Sequence, residues 1–480
     1  MDKSEYDLVV IGSGPAGERG AVTAAALGKR VAIIEKAPYL GGSSANTGTI
    51  PSKTLRETAL VISGLRTRDL YGVDLSLRRE ATIADLMYHE RHVKANERAR
   101  VKRNLATHGV DLFRGSARFV DPHTLSIAPT AANNATPDPS FNIQGKVVLI
   151  ATGSAPVHPA GFDFNDHRVF DSDEILNLER LPQTMAVIGA GVIGSEYACT
   201  FAALGVKVWV IDGRDELLPF LDRDLSEALE RSMRERLDIQ FLWSEQVTLC
   251  DSSNPAGPVV LTTDVGRQIT VEGVLVAAGR SSNTQELNIE AAGLTPGPKG
   301  LISVDKAYRA SVPHIYAAGD VIGFPALAAT SMEQARIAMC NAFDANLKCD
   351  LAPLLPTGIY TIPEVSMVGA PEEELEAKGI AYVVGRAAYQ ANARGEIIGD
   401  KHGFLKLLFA RDSMKLLGAH VIGEHASEVA HIGLVAMLCD ADVELFIRAC
   451  FNYPTLGDLY KDAAYNALVA RGGISQSTTA

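Results

Sequence analysis

The chain is punctuated by short runs with no polar position: 8–11, 31–34, 147–150, 186–188, 208–211 and 274–278. Each reads as a buried strand, and each runs into a glycine or an acid within a few residues. At 312–320 another apolar strand ends in Gly319-Asp320, beside a helix start. Helical periodicity instead marks 52–64 and a highly charged stretch at 83–108, where Arg and Lys sit among apolar positions. The pattern at 110–150 predicts a β-meander, broken by the Ala-, Asn- and Pro-containing loop 130–139. From about 353 strands alternate, with helices expected near 428–438 and 456–470, and the last residues are expected to be mobile.

Two of the apolar strands lead into the same glycine pattern. Gly12-Ser-Gly14-Pro-Ala-Gly17 follows 8–11, and Gly189-Ala-Gly191-Val-Ile-Gly194 follows 186–188. In both, an acid stands eighteen residues past the last glycine, at the end of a second apolar strand: Glu35 in the first, Asp212 in the second. That is the strand-turn-helix-strand context in which GxGxxG has a mechanism. The glycines permit the tight turn and let a pyrophosphate approach the helix N-terminus, while the acid takes ribose hydroxyls. One such motif says little. Two in full context imply a chain that holds two dinucleotides and runs redox chemistry between them. These paired units are the one internal echo in the sequence.

At 480 residues there is room for three domains of ordinary size. A formal charge of −12 argues against a nucleic-acid or anionic-membrane partner. No apolar stretch reaches the length of a membrane span and the start is not a secretory leader, so the expected location is the cytoplasm. The sequon at Asn134 then reads as part of a polar loop. The six cysteines, Cys199, Cys250, Cys340, Cys349, Cys439 and Cys450, form no CxxC and no compact set with histidine. His420, His425 and His431 are spaced for neither one helical face nor a zinc motif, so no metal site is expected.

Further segments follow the fingerprints in order: Gly41-Gly-Ser-Ser44-Ala-Asn-Thr-Gly-Thr49-Ile-Pro-Ser-Lys53, Ala151-Thr152-Gly153, Ser195-Glu196, Ala278-Gly279-Arg280 with Asn283, and Tyr316-Ala-Ala-Gly319-Asp320. Together they resemble the flavoprotein disulfide reductase family over nearly the whole chain. The resemblance implies an α/β fold of two Rossmann-like, three-layer nucleotide-binding domains plus a C-terminal α+β dimerisation domain. It divides the chain into a discontinuous FAD domain at 1–155 and 284–350, an NAD(P) domain at 156–283, a dimerisation domain at 351–472 and a tail at 473–480. It also implies a homodimer.

The departures from that family decide the chemistry. Its two redox cysteines are replaced by Ser44 and Thr49, and hydroxyls cannot accept electrons as a disulfide does. Its C-terminal His-Pro-Thr motif reads Tyr453-Pro-Thr455, with Asp458 where the partnering Glu stands; a phenol is a poor proton shuttle at neutral pH. The sequence excludes disulfide reduction. One branch, the soluble pyridine nucleotide transhydrogenases, is similar in more detail: Thr49 at the second cysteine position, Pro356-Thr-Gly-Ile-Tyr-Thr-Ile-Pro-Glu364, and Phe451-Asn-Tyr-Pro-Thr455. That branch usually keeps a cysteine where this chain has Ser44.

The resemblance implies FAD-dependent hydride transfer between NADPH and NAD+, the two nucleotides using the Gly189 domain in turn. Gly12, Gly14, Gly17, Glu35, Gly319 and Asp320 are then expected around FAD. Gly189, Gly191, Gly194, Asp212 and Arg214 are expected around NAD(H) or NADP(H), and Thr152, Gly153 and Gly279 complete the cofactor-binding set. Lys53 beside the flavin, paired with Glu196 at the nicotinamide end, forms the expected catalytic pair. Ser44 and Thr49 either face the flavin or fill volume. Asp212 favours NAD(H) and repels a 2′-phosphate, whereas Arg214 pairs with one if the turn bends it back. Two other readings stay open on this scaffold: an NAD(P)H diaphorase or quinone reductase, and a non-catalytic, flavin-binding redox sensor. Retention of Lys53 and Glu196 beside a complete second fingerprint argues against the sensor.

Overall fold

The computed structural model describes residues 4–64, 83–130, 139–345 and 353–472, with 83–85 as backbone only. The C-terminal tail 473–480, Cys349, Asn134 and most of the loop 130–139 lie outside the described residues. Among the described residues no helix is long and apolar enough to cross a membrane.

The strand Glu5–Ile11 lies between Val31–Glu35 and Phe141–Ile150, parallel to both. Asp111–Phe119 and Ile315–Ala317 extend this parallel sheet on its two sides. The long strands each serve twice. Residues 111–114 and 144–150 run in the parallel sheet, while 115–119 and 141–144 pair antiparallel with Thr124–Pro129. The meander expected at 110–150 is thus only its central part. Parallel strands are covered on both faces, which is why their sequences carry no polar position. Val9 and Ile11 face a cluster beneath the antiparallel strands with Phe119, Leu125 and Ile127. Leu8 and Val10 face the helical layer, with Ala21, Ala24, Val101 and Ala335.

Residues 169–276 repeat the plan. Gln240–Trp243, Lys207–Asp212, Thr184–Ile188, Gly273–Val276 and Val169–Phe170 form a parallel sheet in that order. Val247–Asp251, Val259–Thr263 and Gln268–Val271 add the antiparallel layer. This inserted unit leaves and rejoins the first through one antiparallel ribbon, Ser154–Pro156 against Arg280–Ser282.

The C-terminal unit is an antiparallel sheet of Thr357–Ile359, Val365–Gly369, Leu416–Ile422, Phe404–Ala410 and Tyr382–Ala388, in that order. The two expected helices are found at Ala426–Leu438 and Leu459–Arg471. The helix expected at 52–64 begins earlier, as Thr49–Ile62, because Pro51 is tolerated in a first turn where its missing N–H would have no partner.

All three units share one apolar cluster: Leu55 and Ala59 of the first, Tyr197, Cys199 and Phe201 of the second, Ile359, Ile362 and Ile422 of the third. A polar clamp adds to it. Lys406, 1 % exposed on a C-terminal strand, reaches Asp222 of the inserted unit at 2.7 Å, Asp224 at 2.6 Å, and Glu372. The acidic trio Asp222, Asp224 and Glu372 is therefore already served by an ammonium group. Removing Lys406 would strand the buried Asp222 carboxylate, at a cost of roughly 3–5 kcal/mol.

Candidate functional site

The two fingerprints fold into turns of the same kind. Gly12 has φ +98° and Gly189 φ +103°, values that favour glycine. A Cβ on Gly12 would lie 2.4 Å from the Ala151 carbonyl oxygen, and one on Gly189 2.6 Å from that of Ala277. Gly17 and Gly194 serve packing: a Cβ on either would sit 1.9 Å from the carbonyl oxygen of its own first glycine. The helices that follow, Pro15–Ala26 and Val192–Ala203, begin at Gly14 and Gly191 with no side-chain cap. Their first N–H groups are left for an anion.

A cavity of about 1150 Å³ gathers Gly12, Gly14, Glu35, Lys53, Thr152, Gly153, Gly319 and Asp320 from the first unit with Glu196 from the second. Gly17, Gly189, Gly191, Gly194, Asp212, Arg214 and Gly279 lie outside it. Its walls include the buried hydroxyls of Thr47 and Thr152, neither with a hydrogen-bond partner inside the protein. Glu35 is pre-set: one carboxylate oxygen accepts from the Ser13 N–H at 2.9 Å and the Ser13 hydroxyl at 2.6 Å, the other from the Ala37 N–H at 2.8 Å. Orphan hydroxyls, uncapped N–H groups and a fixed acid together suit a flavin dinucleotide.

Val192, Ile193, Glu196 and Tyr197 of the second unit line the same cavity. The Lys53 ammonium lies 2.5 Å from one Glu196 carboxylate oxygen. The other oxygen accepts the Tyr360 backbone N–H at 2.9 Å, and the Tyr360 ring lies 5.0 Å from the ammonium. One ion pair thus joins a residue from each of the three units. Glu196 is buried and Lys53 half-buried, so the pair is screened from water.

At the end of the second fingerprint, Arg214 is folded back on Asp212. Its Nε donates to one oxygen at 2.9 Å and a terminal nitrogen to the other at 2.6 Å, while the Ala190 and Arg214 N–H groups donate as well. Burial pushes the Asp212 carboxyl up, but these donors outweigh it and hold the group at about 2. Arg214 remains about half exposed. The turn does bend the arginine back, onto the acid.

The profile of the pyridine nucleotide-disulphide oxidoreductase family matches residues 6–339, and that of its dimerisation domain matches 355–464. The chain belongs to the pyridine nucleotide-disulphide oxidoreductase family. It is similar to proteins named soluble pyridine nucleotide transhydrogenase: 47 % identical to one from Mycobacterium bovis, over 98 % of this chain and 99 % of the relative. One from Marinobacter nauticus is 40 % identical over the same shares. Among solved structures, the HOCl-induced flavoprotein disulfide reductase RclA from Escherichia coli matches with a TM-score of 0.85 at 26 % identity, covering 96 % of this chain and 99 % of that one. LpdA from Mycobacterium tuberculosis matches with a TM-score of 0.86 at 26 % identity, covering 95 % and 99 %.

Within this pyridine nucleotide-disulphide oxidoreductase scaffold, Ser44 and Thr49 both line the cavity. Among the described residues none of the cysteines lines it. Cys199 sits closest in sequence to Glu196, but burial pushes its thiol up to about 12 and leaves it inert. Several lining residues were not anticipated. Lys94 and Arg98 project from the charged helix Ile83–Thr107, with Arg98 stacked 3.6 Å from the Tyr39 ring centroid and its Nε on Asn46 at 2.6 Å. Their four-residue spacing on one helical face was the available signal. Tyr360 lies in the segment 356–364 that resembles the transhydrogenase branch, but nothing there pointed to Glu196, since that bond uses backbone.

Proposed function

We propose that the chain catalyses hydride transfer between NADPH and NAD+ with FAD as resident cofactor, and that no thiol takes part. What carries this reading is one cavity shared by both dinucleotide units, with Lys53 and Glu196 at their junction and hydroxyls at the positions of the family's thiols. Gly12, Gly14, Glu35, Thr47, Thr152, Gly153, Gly319 and Asp320 would hold the FAD. The flavin, when bound, supplies the two-electron centre that takes up hydride from one nicotinamide and returns it to another.

The chain's own part is orientation and electrostatics. Lys53 places a positive charge in a screened site, which favours negative charge developing beside it. Glu196, fixed by Lys53 on one oxygen and the Tyr360 N–H on the other, keeps that charge from drifting. Gly189, Gly191 and Gly194 shape the turn for the nicotinamide nucleotide's pyrophosphate, with Asp212 and Arg214 at its adenosine ribose and Gly279 in the facing loop. A second copy of the chain docks on the C-terminal unit, where Val435, Leu438, Leu445 and Tyr453 leave apolar surface exposed.

The test is anaerobic turnover of purified protein with NADPH as donor and thio-NAD+ as acceptor. Direct turnover without added quinone is expected. Flavin that bleaches under NADPH but passes nothing to thio-NAD+ would refute the transhydrogenase reading and turn the search to quinones.

A further inference from the structure

Between the flavin acid and the inserted unit runs a directed chain of hydrogen bonds. The Ser154 hydroxyl donates to Asp320 Oδ2 at 2.7 Å. It accepts in turn from Arg280 Nε at 2.8 Å, and an Arg280 terminal nitrogen donates to the Ser154 carbonyl at 2.8 Å. The other arm of the guanidinium reaches the Ser172 hydroxyl at 3.3 Å and Asp173 Oδ1 at 3.5 Å. That Asp173 oxygen is buried and has no hydrogen-bond partner. The turn bearing Asp173 is itself held, because Asp171 accepts the N–H groups of Asp173 and Glu174. Ser154 and Arg280 are the first residues of the two ribbon strands that join the units. All five of Ser154, Ser172, Asp173, Arg280 and Asp320 line the shared cavity.

We propose that Arg280 is a positioning residue, a latch that couples the cofactor acid Asp320 to the placement of the inserted unit. The inference rests on the hydride-transfer reading above. A guanidinium donates in several fixed directions at once, which a serine hydroxyl or a lysine cannot do. Here it spans the ribbon, with one edge on the first unit and the other on Ser172 and Asp173. A group bound at Asp320 acts on the Ser154 hydroxyl, and through it on the guanidinium. Charge-assisted bonds of 2.8 Å hold the guanidinium on Ser154, and the longer contacts of 3.3 and 3.5 Å carry the constraint to Ser172 and Asp173. Hydride transfer depends steeply on the approach of the reacting atoms, so a loosened ribbon slows the reaction without removing any group that touches it.

The test uses the flavin-loaded enzyme and the variants Arg280→Met, Arg280→Lys and Ser154→Ala. Both tryptophans, Trp209 and Trp243, lie in the inserted unit. Energy transfer from tryptophan to flavin therefore reports the placement of that unit independently of activity. Stopped-flow reduction of the flavin by NADPH reports the half-reaction independently of any acceptor. For Arg280→Met we expect a changed transfer efficiency and flavin reduction slowed about 10-fold or more, with Arg280→Lys and Ser154→Ala in between. Wild-type transfer efficiency and reduction rate in Arg280→Met would overturn the latch. So would a variant that sheds FAD yet behaves as wild type once refilled, which would make Arg280 a local support only. If Arg280→Met does not fold, Ser154→Ala is measured by the same two readouts: a shift in both supports the latch, and wild-type values in both overturn it. A wild-type flavin that NADPH and NADH both fail to reduce would sink the proposed function, while the energy-transfer comparison would still decide the latch.

Discussion

The two dinucleotide units share a turn and differ in what surrounds it. At the first, Gly14 faces Gly42, the helix Ile83–Thr107 supplies Lys94 and Arg98 to the cavity, and Glu35 is fixed by three donors from its own unit. At the second, a Cβ on Gly191 would meet nothing within 4 Å, and Asp212, though held by the Ala190 and Arg214 N–H groups as well, has a half-exposed arginine from two residues away as its outer cover. On the proposed reading, enclosure at the first site suits a resident cofactor and openness at the second suits substrates that exchange. The same backbone device serves both, and the neighbours set how enclosed each turn is.

Substituting the first glycine of each unit breaks the comparison most sharply. Gly12→Ala and Gly189→Ala each place a methyl group against a carbonyl oxygen at a strained φ. The first is expected to purify without flavin, and the second with flavin that nicotinamide nucleotides no longer reduce. Absorbance at 450 nm before and after NADPH separates the two, and a yellow Gly12→Ala protein would refute the assignment of that unit to FAD. Next in size is Lys53→Met, which should retain flavin but slow its reduction about 100-fold, the scale on which preorganised charge acts. Single-turnover kinetics would show this, and an unchanged rate would reduce Lys53 to a structural helix residue.

Arg214→Ala sharpens the open site. On the proposed reading that Arg214 also meets a 2′-phosphate, its loss should raise KM for NADPH about 10-fold and leave NADH unaffected or improved. Equal effects on the two nucleotides would show that the arginine serves Asp212 alone. The smallest effect concerns acid. Asp212 is held at about 2 in the fold against an ordinary 3.8, so its contribution to stability is present in full above pH 4. That contribution declines as pH falls from 4 towards 2. The stability difference between wild type and Asp212→Asn should therefore be flat above pH 4 and shrink below it in denaturant titrations.

Much of this was legible in the sequence. The apolar runs at 8–11, 31–34, 186–188 and 208–211 declare themselves because a parallel strand covered on both faces tolerates no polar residue. The glycines and acids were legible because few other residues meet their backbone demands. The double service of Asp111–Phe119 and Phe141–Ile150 was not, since pairing is decided by strands far away in the chain. The contact of Tyr360 with Glu196 was hidden for another reason: a backbone N–H carries no residue signature. Asp212 and Arg214 could be named as neighbours, but only the folded turn shows that they hold each other.

The ribbon of Ser154–Pro156 and Arg280–Ser282 also bears on how such a chain came to be built. A segment whose two ends lie side by side in register can be spliced into a host, or lifted out, without stretching either partner. The inserted unit is in that sense a cassette, seated in a scaffold that repeats its own architecture, and a copy of one unit set into another would leave this seam.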